Sequence, residues 1–238
     1  MLASLKNPAL MVVDMQNDFV RRHAPMEVAS ARETIPSIGR LIAAFRGNGK
    51  PVVFTRYVAD SLYQALAGKL TWIKLTDAPT HACVPGFMRS YGDVEGMRDA
   101  AEVIDELAPQ DGDIVLDKVY FSAFHATDLA KTLKLLAVDG LVFVGTVAEM
   151  CVEDSCRHAV HFGLSHDCGG GCCFFQPSAQ PAGHARCFRT QLRLGHDHGP
   201  APEFFRGRAS GKRGLEPTAA VKNRSGSGFG FPSFRYSR

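Results

Sequence analysis

Apolar positions over the first 163 residues follow two alternating patterns. Short apolar runs, often β-branched, recur: ALMVV before Asp14, PVVFT at 51–55, DIVLDK at 113–118 and LVFVG at 141–145. Runs of this length between turn residues predict fully buried strands. Between them, apolar residues return at helical spacing. Ile35, Ile38, Leu41, Ile42 and Phe45 predict a helix over 31–46, stopped by GNGK. A second helix is predicted over 97–107, closed by Pro109. A third runs from an N-cap at Thr127 to about Val138, ended by Asp-Gly, and Cys151 opens a fourth. Residues 57–95 read as loops with short helical pieces.

Strands apolar throughout and separated by helices predict an α/β fold. The expected architecture is a three-layer α/β/α sandwich with a central parallel sheet, formed by residues 1–163. The pattern fails near Leu164. Thereafter come SHDCGGGCC, QPSAQPAG, GHDHGPAP and RSGSGFGF, rich in Gly, Pro, Ser and Arg and without periodicity. Such sequence buries too little apolar surface to offset its chain entropy. Residues 164–238 are therefore expected to be a disordered tail, with the last strands of the sheet missing. An out-of-frame origin fits the genetic code. SHDCGGGCC can be written in codons that, slipped by one base, read RTTVVADAV, a strand followed by Asp-Ala.

Composition removes several function classes. The net charge of +3 is too small to argue for nucleic acid, and much of the basic excess lies after Gly183. No apolar run reaches the length of a membrane-spanning helix. PALMVV is cut by Asp14 and does not read as a signal peptide, so a cytoplasmic location without a membrane partner is expected. Seven cysteines, odd in number and irregularly spaced, argue against a secreted disulfide framework.

In a parallel α/β sheet, ligands bind at the carboxyl ends of the strands. Asp14, Lys118 and Cys151 fall at three such ends. Singly, each has a plainer reading: a turn residue, a solvated lysine, a small buried hydrophobe. Together they make a chemical set. A helix start and a nearby ammonium favour a thiolate, so a depressed Cys151 pKa is expected. Asp14 can take the thiol proton and later return it to a departing amine. Free N–H groups at the helix start can hold an oxyanion. Phe19, Phe121 and Phe124 are candidates to line the pocket, Phe124 equally a core residue. Arg56 is a candidate for a substrate carboxylate, or else a surface arginine paired with an acid. CGGGCC and GHDHG lack the spacing of a zinc site, His125, His158 and His161 read as helix-surface or packing residues, and Cys156 reads as structural.

Three segments carry a family resemblance. VVDMQNDFV resembles the D-x-Q-x-x-F motif of the isochorismatase-like cysteine hydrolases, DKVYFSAF their K-x-x-x-S-A-F motif, and GTVAEMCVEDSCRHA their nucleophile motif. The resemblance covers about residues 7–163. It implies Cys151 as nucleophile, Asp14 as acid/base and Lys118 as electrostatic partner. It also implies a cis peptide at Thr146–Val147, an oxyanion hole from the Val147 and Cys151 amides, and a homo-oligomer. Ala148 departs from the threonine of many relatives. The Asp-x-His metal motif of nicotinamidase-like members is absent from FTRYVADSLYQ, so no metal and no cofactor is expected. The cysteine favours hydrolysis of an amide or ureido C–N bond. A vinyl-ether hydrolase, or a silent or misfolded truncated homologue, are the alternatives.

Overall fold

The computed structural model describes residues 5–59 and 71–173, with the backbone alone for 71–73 and 166–173. In chain order the elements are β1 (Pro8–Val13), α1 (Asn17–Val20), a 3₁₀ turn (Ala29–Thr34), α2 (Ile35–Gly47), β2 (Val52–Tyr57), a 3₁₀ turn (Thr71–Thr76), β3 (Met88–Tyr91) and β4 (Val94–Asp99). A 3₁₀ turn (Asp105–Leu107), β5 (Ile114–Lys118), α3 (Leu129–Leu135), β6 (Gly140–Gly145), a π-helical turn (Ala148–Val152), α4 (Glu153–His161) and β7 (Ser165–Cys173) follow. Five strands form a parallel sheet in the order β5-β2-β1-β6-β7.

Side-chain alternation along β1 divides the core. Leu10 and Val12 pack with Ile38, Leu41 and Phe45 of α2, while Ala9, Met11 and Val13 face Leu129 and Leu133 of α3 and Ala159 of α4. Apolar layers on both faces explain why all six residues of β1 and of β6 are buried. This is the expected three-layer sandwich. Helix α2 begins with Pro36 in its first turn, where a missing N–H costs nothing. It ends where Asn48 caps Ala44 O through its side chain at 2.8 Å and Gly49 turns to φ 61°.

Three expectations need correction. The helix over 97–107 is instead β4 followed by an extended stretch and a 3₁₀ turn. Its helical spacing is overruled by pairing with the start of α1. Asn17 N donates to Glu102 O at 2.9 Å and Asp18 N to Ala100 O at 3.3 Å, while Ile104 N donates to Met15 O at 2.9 Å. The carbonyls of 100–102 thus satisfy N–H groups that a helix start leaves unpaired. Thr127 is not the cap of α3; Asp128 holds that position, and the Thr127 hydroxyl donates to Ala123 O at 2.5 Å. The sheet does not stop before residue 164, because β7 pairs in parallel with β6. A strand edge presents unpaired N–H and C=O groups that attract a partner whatever its side chains. The rest of the expected tail, beyond Cys173, lies outside the described residues.

Candidate active site

The chain leaves β1 to β2 on one side and later returns to β6 on the other. Ligand crevices open at such a reversal of strand order. Asp14 follows β1 directly, fully buried and at φ 47°. Thr55 of β2 holds it: the Thr55 hydroxyl donates to Asp14 Oδ1 at 2.6 Å, and Asp14 N donates to Thr55 O at 3.1 Å. Lys118 ends β5, two strands from β1, roughly 10 Å at the usual strand spacing. Its long side chain spans that gap.

The three side chains meet. Lys118 Nζ lies 2.7 Å from Asp14 Oδ2 and donates to Cys151 Sγ at 3.2 Å and to Tyr120 O at 3.0 Å. Asp14 and Lys118 are almost wholly buried, and Cys151 is 6% exposed. An ammonium has three protons to donate, and here three acceptors surround it. The Tyr57 ring lies below it, 5.6 Å from Nζ to the centroid.

Electrostatics correct one expectation. Burial pushes the Cys151 thiol up to about 12, and Lys118 only partly offsets this because Asp14 acts in the opposite sense. The resting sulfur is a thiol. Burial also works against the Lys118 charge, but Asp14 and Cys151 outweigh it and its pKa stands above the ordinary lysine value. Lys118 is therefore held as an ammonium, paired with Asp14 at 2.7 Å and beside a neutral Cys151 thiol at 3.2 Å.

Cys151 sits in the π-helical turn, one element before the helix it was expected to open. Irregular turns of this kind frequently occur at functional sites. The Thr146–Val147 peptide is cis, where the resemblance puts it. Gly145, at φ 114°, is required at this point: a Cβ there would stand 2.1 Å from Val13 O. That close approach brings the turn after β6 against the end of β1, beside Asp14.

The other candidates fall in different places. Phe19 is buried and meets Tyr57 edge to face at 6.4 Å, one residue removed from Lys118. Phe121 packs on the core cluster that contains Cys151. Phe124 is core, stacked on Phe162 at 5.3 Å. Arg56 is engaged by acids: it is bidentate to Asp117 at 2.7 and 2.9 Å and also pairs with Glu102. Its paired reading is the one seen. Cys156 is wholly buried in the core. Among the described residues no cluster of His, Cys, Asp and Glu has the arrangement of a metal site, and no helix is long and apolar enough to cross a membrane.

Sequence reasoning missed the residues that hold these groups. Gln16 clamps β2: its Oε1 accepts from Tyr57 N at 2.7 Å, and its Nε2 donates to Tyr57 O at 2.8 Å and Ala101 O at 2.7 Å. Asp18, fully buried, accepts from Cys83 N, Arg89 Nε and Tyr91 Oη at 2.9, 3.1 and 2.6 Å. Burial holds its carboxyl above the usual range despite those donors. Both belong to VVDMQNDFV, so their type and place were visible; their partners, 41 to 85 residues away, were not.

Residues 8–182 match the isochorismatase domain. The ureidoacrylate amidohydrolase RutB of Variovorax paradoxus (strain S110) is 34% identical over 160 residues, 64% of this chain and 63% of that protein. The chain spans under two thirds of the length of the Variovorax relative and of the Pseudomonas syringae one. An N-carbamoylsarcosine amidase from Thermoplasma acidophilum superposes with a TM-score of 0.59 at 26% identity, over 78% of this chain and 92% of that one. Nicotinamidase PncA from Bacillus subtilis shares the fold, with a TM-score of 0.63 at 21% identity over 79% of this chain and 97% of that one.

Proposed function

Since the chain belongs to the isochorismatase family, we propose that it is a cysteine amidohydrolase. It cleaves the C–N bond of a small amide or ureido compound through a thioester. One observation carries this reading: a buried ammonium stands 2.7 Å from a carboxylate and 3.2 Å from a thiol, each delivered by a different strand end.

The resting thiol sets the order of events. The sulfur attacks the substrate carbonyl as its proton passes to Asp14, and Lys118 stabilises the negative sulfur as it forms. A thiolate need not accumulate first. The amides of Val147 and Cys151 receive the oxyanion. The C–N bond then breaks, and Asp14 gives its proton to the leaving nitrogen. Water attacks the thioester, losing a proton to Asp14; the C–S bond then breaks, Asp14 returns that proton to the sulfur, and the acid and free thiol are released. Lys118 stays charged throughout. The amidohydrolase and amidase names of the similar proteins support the bond type.

An ammonia-release screen over small amides and ureido acids tests this. Turnover by the wild type, absent in a folded Cys151→Ala variant, is expected. Turnover that survives Cys151→Ala, or none on any such compound, overturns the reading. Isochorismate cleavage without ammonia would point to the vinyl-ether alternative.

A further inference from the structure

We propose that Ser155 is a positioning residue for this site, a single hydroxyl that fixes the nucleophile's turn against the loop that orients Lys118. The assignment rests on the hydrolase reading. Ser155 lies in α4, four residues after Cys151, and is wholly buried. Its Oγ donates to Cys151 O at 2.6 Å and accepts from Ala123 N at 2.9 Å. Ala123, itself wholly buried, belongs to the loop that follows Lys118. In that loop Tyr120 O accepts from Lys118 Nζ at 3.0 Å. Ser155 is thus the bond between the backbone that carries the sulfur and the backbone that aims the ammonium.

A hydroxyl is needed here for two reasons. Cys151 lies in the π-helical turn, outside the regular α-helical ladder, and its carbonyl takes the Ser155 hydroxyl. Ala123 N is buried, and a buried N–H left unpaired is costly. A serine hydroxyl bonded to the carbonyl four residues back gains a helix nothing by itself. Its value at this position is the second bond, to Ala123. The same loop has another tether one turn further along α4, where Ser122 Oγ lies 2.9 Å from His158 Nδ1. That contact does not touch the nucleophile's backbone, so the loop stays docked when Ser155 is changed.

Ser155→Ala should lower kcat by about 10- to 100-fold, because misplacement near 1 Å costs that much. KM should stay within about threefold, since substrate binding is not what the hydroxyl serves. Ser155→Thr keeps the hydroxyl and should recover most of the rate. Crystal structures of wild type and Ser155→Ala give a readout that does not need turnover: the Lys118 Nζ–Cys151 Sγ separation should open from 3.2 Å. An unchanged kcat with an unchanged separation overturns the assignment, even if the variant melts lower. Equal loss in the Ala and Thr variants overturns it too. A wild type without amidase activity sinks the hydrolase reading, while the separation still decides the role of Ser155.

Discussion

The two neighbours of β6 could hardly differ more. On one side β1 offers PALMVV, every residue buried, in unbroken register from Pro8 opposite Gly140 to Val13 opposite Gly145. On the other, β7 offers SHDCGGGCC, paired in register only from Ser165 to Cys168 before slipping ahead of Gly145. Aspartate and three successive glycines are poor strand formers. β1 is a strand because of what it contains, whereas β7 is a strand because of where it lies, against an open edge. Chemistry follows the same division. Asp14, Thr55, Gln16 and Lys118 all come from β6's β1 side, and none of the described site residues comes from β7.

Removing a triad member should have the largest effect. Asp14→Asn, which keeps shape, should cut kcat by at least about 10³-fold. Lys118→Ala should do the same and also destabilise by about 3–5 kcal/mol, because it leaves a carboxylate buried without its partner. Steady-state kinetics and denaturant melts check both.

The glycine where β6 meets β1 should resist substitution. Gly145→Ala places a Cβ against Val13 O at positive φ and should destabilise by about 1–3 kcal/mol or more. A denaturant melt of the variant checks this, and an unchanged midpoint would show that β6 can stand off from β1 at no cost.

Alkaline pH should weaken the β1 side. With a folded thiol pKa near 12, Cys151 keeps its proton above pH 9 while the unfolded chain loses it. The folded state then binds more protons, so stability falls as pH rises from about 9 towards 12. Lys118, also raised, adds stability that is full below the ordinary lysine pKa and lost as pH climbs through its folded value. Cys151→Ala should flatten the thiol's share of this decline in melts across pH 8–11. Iodoacetamide labelling of Cys151 without substrate should climb through pH 9 without a plateau near neutrality.

Arg56→Ala should matter least. Its partners are Asp117 and Glu102, on a partly solvated edge. KM should change less than about threefold, and stability by about 1 kcal/mol or less. A larger KM effect would restore the substrate-carboxylate reading.

Much was legible in the chain. The four apolar runs became β1, β2, β5 and β6, and the residues that end them or follow them became the buried triad. These succeed because a fully buried strand demands continuous apolar sequence, and a parallel sheet collects strand ends on one side. Met97 to Leu107 misled because its helical spacing is real, yet its carbonyls are claimed by Asn17 and Asp18. Arg56 carried two readings because placement at a strand end does not say which acid stands nearby. Ser155 was passed over because a helical serine looks like any other until Ala123 arrives from 32 residues away.

The sequence alone determined the alternation of strand and helix, the identity of the three side chains that stand at or after the strand ends, and the glycine that closes β6. Those are local matters of side-chain volume, branching and backbone freedom. Tertiary structure alone decided that the thiol rests protonated and that β7 joins the sheet. It also decided that Gln16, Thr55 and Ser155 hold the site in place. Burial, charge separation and hydrogen-bond partnership are properties of neighbours in space, and the spacing of residues along a chain does not contain them.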